Sequence, residues 1–113
     1  QYALYYPERR FLPGERLDFS ALSAITFERP DMETFYGLKM AYEACREGGS
    51  LPTVFNAANE RAVAMFLERK IRYLQIPEII QACMEQHTNI PEPSVEEILK
   101  TEQETYEFIK SRW

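Results

Sequence analysis

The sequence predicts an all-α fold, a four-helix bundle-like domain over residues 31–113 behind an extended N-terminal arm or linker over residues 1–30. Two observations predict it. After Asp31 the chain contains four amphipathic stretches, each with its own start and stop residues, and such stripes are buried by packing on one another. Before Asp31, the segment PERRFLPGERL (7–17) has the proline, glycine and charge content of a linker.

The first helix is predicted from about Glu33 to Glu47, with Asp31 as N-cap, Gly48-Gly49 as the left-handed stop, and Phe35, Leu38, Tyr42 and Cys45 as its buried stripe. The second runs from Pro52 or Thr53 to about Arg69, with Phe55, Ala58, Ala62, Met65 and Phe66 on one face. The third is predicted to begin at Pro77, whose preset φ and missing donor suit a first helical position; Ile79, Ile80, Cys83 and Met84 form its stripe, and it ends near His87. The fourth opens on Ser94-Val95-Glu96-Glu97, a capping box in which Ser94 accepts from the Glu97 amide while Glu97 reaches back. Its stripe is Val95, Ile98, Leu99, Tyr106, Ile109 and Trp113, and its terminal charges (Glu96 and Glu97, then Lys110 and Arg112) complement the helix dipole. In the arm, apolar residues at odd positions from Leu17 to Phe27 approximate period two, so Leu17–Glu28 reads as extended chain with room for one helical turn.

Composition narrows the function. The 113 residues, 45% hydrophobic and 27% charged, suit one domain with one core. The longest apolar run, Ala62–Leu67, is far below the roughly 20 residues that cross a bilayer, so no membrane is expected. A net charge of −5 repels phosphate backbones, which argues against nucleic acid as a partner. The basic cluster Arg69, Lys70 and Arg72 follows a predicted helix end and suits its dipole. Cys45 and Cys83 read as buried thiols, in keeping with a reducing cytoplasm. No glycine-rich phosphate turn can be assembled, and the single imidazole, His87, reads as a surface or helix-end residue. No catalytic, cofactor-binding or metal residue is assigned in this chain.

One local feature is unusual. Asn56 and Asn59 lie three apart in NAANE, on one helical face, although asparagine competes with the backbone in helix interiors. Two readings stay open: the amides satisfy loop carbonyls and fix packing, or they turn a polar face toward a substrate or partner domain.

The segment VFNAANERAVAMFLERKIRYLQIPEII resembles the C-terminal region of the 1-deoxy-D-xylulose 5-phosphate reductoisomerase family. LDFSALSAITFERPD, LKMAYEACREGG and PSVEEILKTEQE resemble that family's arm, first bundle helix and last helix, in the same order. Asn56, Asn59 and Glu60 are the family signature. The resemblance implies a supporting domain of an enzyme that isomerises 1-deoxy-D-xylulose 5-phosphate and reduces it with NADPH, assisted by magnesium or manganese, in the non-mevalonate route to isoprenoids. It also implies that the cofactor-binding and central catalytic domains precede these residues in the same chain, that the full-length protein is a homodimer, and that it is cytoplasmic, or plastid in a plant or alga. QYALYYPERR resembles the end of the central domain, so Gln1 is expected to be an internal cut. Tyr2, Tyr5, Tyr6, Phe11, Phe19 and Phe27 are the candidates for contact with that domain. The fragment alone is expected to be inactive. The alternative is a freestanding helical interaction module derived from that domain, which the coding sequence upstream of Gln1 would distinguish.

Overall fold

A computed structural model describes residues 1–113 as an all-helical chain. Two single turns, α1 (Tyr2–Tyr5) and α2 (Phe19–Leu22), lie in the arm, followed by α3 (Tyr36–Glu47), α4 (Leu51–Leu67), α5 (Gln75–Gln86) and α6 (Val95–Arg112). The α4 helix is central: it packs on α3, α5 and α6, while α1 and α2 pack on none of the four. The radius of gyration is 19.2 Å, whereas a compact chain of this length has about 13 Å. The arm therefore projects away from the bundle.

Helix starts follow local chemistry. Ser94 Oγ accepts from the Glu97 amide at 3.2 Å, and Glu97 Oε2 accepts from the Ser94 amide at 2.8 Å, completing the capping box. The α5 helix begins at Gln75, two residues before the predicted start, so Pro77 falls inside its first turn, where the missing donor breaks no helical bond. The α4 helix ends with Arg69 in the left-handed region (φ 61°), the Lys70 amide donating to the Met65 carbonyl at 2.9 Å and the Arg69 amide to Phe66 at 2.9 Å. This is a Schellman-type closure on a residue other than glycine. In the arm, Asp18 Oδ1 accepts from the Ser20 and Ala21 amides and starts the single turn of α2.

The core is built from Met40, Val54, Ala58, Ala62, Met65, Ile79, Ile80, Cys83 and Ile109. Small residues at 58 and 62 let α4 sit at the centre of three neighbours. No buried side-chain polar atom lacks a partner.

Several expectations are corrected. Asp31 caps a turn rather than a helix, accepting from the Glu33 and Thr34 amides at 3.0 Å, so α3 begins only at Tyr36. The buried line of α3 is Met40 and Ala44 with Tyr36 packed against it, whereas Phe35, Leu38, Tyr42 and Cys45 face outward. Cys45 is thus an exposed thiol; only Cys83 is buried. On α6 the buried line is Thr101, Thr105 and Ile109, one residue per turn, while Val95, Ile98, Leu99 and Trp113 are exposed. Threonine is tolerated inside because Thr105 Oγ1 donates to the Thr101 carbonyl at 2.8 Å. The odd-numbered apolar residues of the arm, Leu17, Phe19, Ile25 and Phe27, find no partner strand and remain exposed.

Candidate functional site

Three polar or apolar constellations stand out, and each is built by a different set of loops or helices. The first joins the α3–α4 turn to the loop after α5. Ser50 is fully buried, and its hydroxyl accepts from the Ile90 amide at 2.9 Å. Its own proton is left for His87 Nε2 at 2.6 Å or Asn89 Oδ1 at 3.2 Å. Asn89 Oδ1 in turn accepts from the Ser50 amide (3.0 Å) and the Leu51 amide (3.2 Å), capping α4 from 39 residues away. Gly49, at φ 62°, lets the two loops touch: a Cβ there would overlap the Ile90 carbonyl and the Asn89 side chain. Burial pushes the His87 pKa below the ordinary imidazole value, an effect partly opposed by Glu104. A buried serine beside an imidazole resembles a nucleophile–base pair, but Ser50 has no exposure to a substrate. The pair fastens loops. His87 caps the end of α5 as the helix-end reading expects, and its bond to Ser50 was not legible from spacing.

The second constellation lies between α4 and α6. The Tyr106 hydroxyl donates to Glu102 Oε1 at 3.1 Å and makes a long 3.5 Å contact with Glu60 Oε2. Burial first, and then the two carboxylates, raise the phenol's pKa. Glu60 therefore sits on the α4–α6 seam as a helix-to-helix contact. No group of three or more His, Cys, Asp or Glu side chains is placed to hold a metal ion. Cys83 is held as a thiol, its pKa raised to about 11 by burial with a smaller opposing effect of Arg112.

The third is a groove of about 610 Å³ between α3, α4 and α5. Phe35, Leu38, Phe55, Tyr73 and Leu74 give it an apolar lining, and none of its 13 lining residues is charged. Asn59 stands in its wall, half-buried, with no side-chain hydrogen bond inside the chain. Asn56 is exposed and equally without a side-chain partner. Neither amide bonds a loop carbonyl within these residues, because the α4 face that carries them looks away from the core line Val54, Ala58, Ala62 and Met65.

Fold and constellations together define a class: a helical domain whose internal polar groups fasten its own loops and helices, and whose unpartnered polar and apolar groups face outward. The model of the DXP reductoisomerase C-terminal domain matches residues 1–108. Two relatives named 1-deoxy-D-xylulose 5-phosphate reductoisomerase, from Agathobacter rectalis and Lachnospira eligens, are 59% and 61% identical over all 113 residues, which span 30% of each relative. A solved 1-deoxy-D-xylulose 5-phosphate reductoisomerase from Zymomonas mobilis in complex with NADPH superimposes with a TM-score of 0.82 at 37% identity, over 97% of this chain and 29% of that one. A DOX-P reductoisomerase in complex with magnesium gives a TM-score of 0.80 at 30% identity, over 98% of this chain and 30% of that one. The chain belongs to the 1-deoxy-D-xylulose 5-phosphate reductoisomerase family and corresponds to its C-terminal domain. It spans about 30% of the length of its relatives.

Proposed function

We propose that this chain is the supporting domain of an NADPH-dependent 1-deoxy-D-xylulose 5-phosphate reductoisomerase, and that it acts by position. The whole enzyme isomerises 1-deoxy-D-xylulose 5-phosphate and reduces the product to 2-C-methyl-D-erythritol 4-phosphate. NADPH and the magnesium or manganese ion are held by the rest of the same chain. Residues 31–113 form the C-terminal helical domain, and residues 1–30 run from the end of the central domain through the arm. The observation that carries this reading is the family match over residues 1–108 of a chain whose own polar clusters are engaged in fastening helices and loops.

The contribution to catalysis is geometric. A rigid bundle packed on the reacting domain fixes distances there, and misplacement by about 1 Å can cost on the order of 100-fold in rate even when it arises far from the chemistry. No helix is long and apolar enough to cross a membrane, which agrees with a cytoplasmic enzyme. The full-length protein is a homodimer, to be measured by light scattering. The charge of −5 leaves nucleic acid aside as a partner.

Calorimetry and a spectrophotometric NADPH assay on residues 1–113 test the reading. Neither saturable NADPH binding nor turnover is expected from these residues, while the full-length enzyme shows both. Tight NADPH binding or measurable reduction by residues 1–113 alone overturns it.

A further inference from the structure

Along α6 the outward positions are filled by Glu96, Lys100, Gln103, Glu104, Glu107 and Lys110, a solvated face. The groove between α3, α4 and α5 is the opposite case. It is uncharged in a protein of net charge −5, and Phe35, Leu38, Tyr73 and Leu74 are 62%, 40%, 68% and 70% exposed along it. Apolar side chains gathered in one concave place mark a contact surface in a way that scattered ones do not. Its one amide side chain, Asn59, makes no side-chain hydrogen bond within the chain although most of its surface is covered.

The path of the chain identifies the occupant. The arm arrives through Pro30 and the Asp31-capped turn, and the residues of that turn, Thr34 and Phe35, form the groove's rim. The arm itself packs on none of the bundle helices. The chain matches a C-terminal domain and about 30% of its relatives' length, and residues 1–30 join this rim to whatever precedes them in the same polypeptide. A body joined through this arm has an effective concentration that falls only as about the −3/2 power of tether length, and so still exceeds what a second copy reaches in dilute solution.

We propose that the α3–α4–α5 groove is the seat of the enzyme's preceding domain in the same polypeptide, which lays an apolar segment along Leu38 and Leu74 and hydrogen-bonds the Asn59 amide. This rests on the supporting-domain reading and names the face that does the supporting. The occupant needs an uncharged, largely apolar surface with a backbone or side-chain polar group opposite Asn59. The exposed charged face of α6 stays in water.

The test uses the full-length enzyme. Leu74→p-benzoylphenylalanine places a photo-crosslinker in the groove, and Leu99→p-benzoylphenylalanine places the same group on exposed α6. Irradiation followed by denaturing electrophoresis and peptide mapping is expected to join position 74 to a peptide ahead of Gln1 at monomer mass. Its yield should exceed that from position 99 by about tenfold, as a tethered partner dictates. A product of twice the mass places a second copy in the groove and overturns the proposal, as does attachment to residues 1–30 or a yield no greater than at position 99. Hydroxyl-radical footprinting of the unmodified enzyme guards against disruption by the probe: Tyr73 and Leu74 are expected to be protected relative to Leu99, and equal oxidation overturns the proposal. Leu38→Asp, with helicity checked by circular dichroism, reads the supporting role separately. Same-chain cross-linking with turnover unchanged in Leu38→Asp keeps the docking face and removes the supporting role. Lost turnover with cross-linking to a second copy keeps the supporting role and removes this face.

Discussion

The arm and the bundle contain similar apolar side chains and treat them oppositely. In the bundle, Met40, Val54, Ile79 and Ile109 are almost wholly buried; in the arm, Phe11, Phe19 and Phe27 are 76%, 76% and 90% exposed. The bundle's conformation is self-determined, because its core residues meet one another and its buried polar atoms are all paired. The arm carries enough apolar surface to pack, yet its two helical turns pack on none of the bundle helices. Its apolar side chains are left without a helix partner among these 113 residues.

That contrast can be broken by mutation, measured as urea unfolding of residues 1–113. Ile79→Ala, at the centre of the core, is expected to cost about 2–5 kcal/mol through lost burial and a residual cavity. Gly49→Ala should cost about 2–3 kcal/mol, since the left-handed backbone and the overlap with Ile90 and Asn89 act together. Ser94→Ala removes one half of the capping box and should cost about 1 kcal/mol. Acidification gives a smaller loss with a definite sign. His87 has a lowered folded pKa, so protons bind the unfolded chain first; stability is complete above the ordinary imidazole value and falls as pH drops below about 6.5. The carboxylates whose pKa values are also lowered, Asp31, Glu68 and Glu97, act only at more acid pH. The unfolding midpoint between about pH 7.5 and about pH 5.5 reads this slope, which should flatten in His87→Gln because the chain has a single histidine. Smallest of all is Phe27→Ala, expected within about 0.5 kcal/mol of the parent. A loss near that of Ile79→Ala would mean that the arm folds onto the bundle and would abolish the distinction.

The same contrast explains what could be read from the residues in order. Element existence was legible where one residue's chemistry decides it locally: the Ser94–Glu97 box, the Gly48-Gly49 stop and Pro77 in a first turn. Which side of a helix is buried was not legible where both sides are apolar. On α3, the Phe35, Leu38, Tyr42 and Cys45 side looks as hydrophobic as the Tyr36, Met40 and Ala44 side, and only the second meets α4 and α5. An exposed apolar line therefore imitates a core stripe. On α6 the reverse holds: Thr101 and Thr105 look like surface residues, yet both lie inside, Thr105 with its hydroxyl bonded to the Thr101 carbonyl. The asparagine pair was visible as unusual, but whether its partners lie within the domain depended on which way α4 faces. Asn89 gave no signal at all, because its acceptor serves amides 38 and 39 residues earlier.

That remote cap also orders events during synthesis. When the ribosome has delivered α3 and α4, the amides of Ser50 and Leu51 still await an acceptor that has not been translated, and the buried Ser50 hydroxyl awaits Ile90. The α3–α4 hairpin is therefore incomplete as a nascent unit, and its start is sealed only when the loop after α5 emerges. Gly49 holds the gap open for that late arrival, which ties the maturation of the first half of the bundle to the appearance of the second.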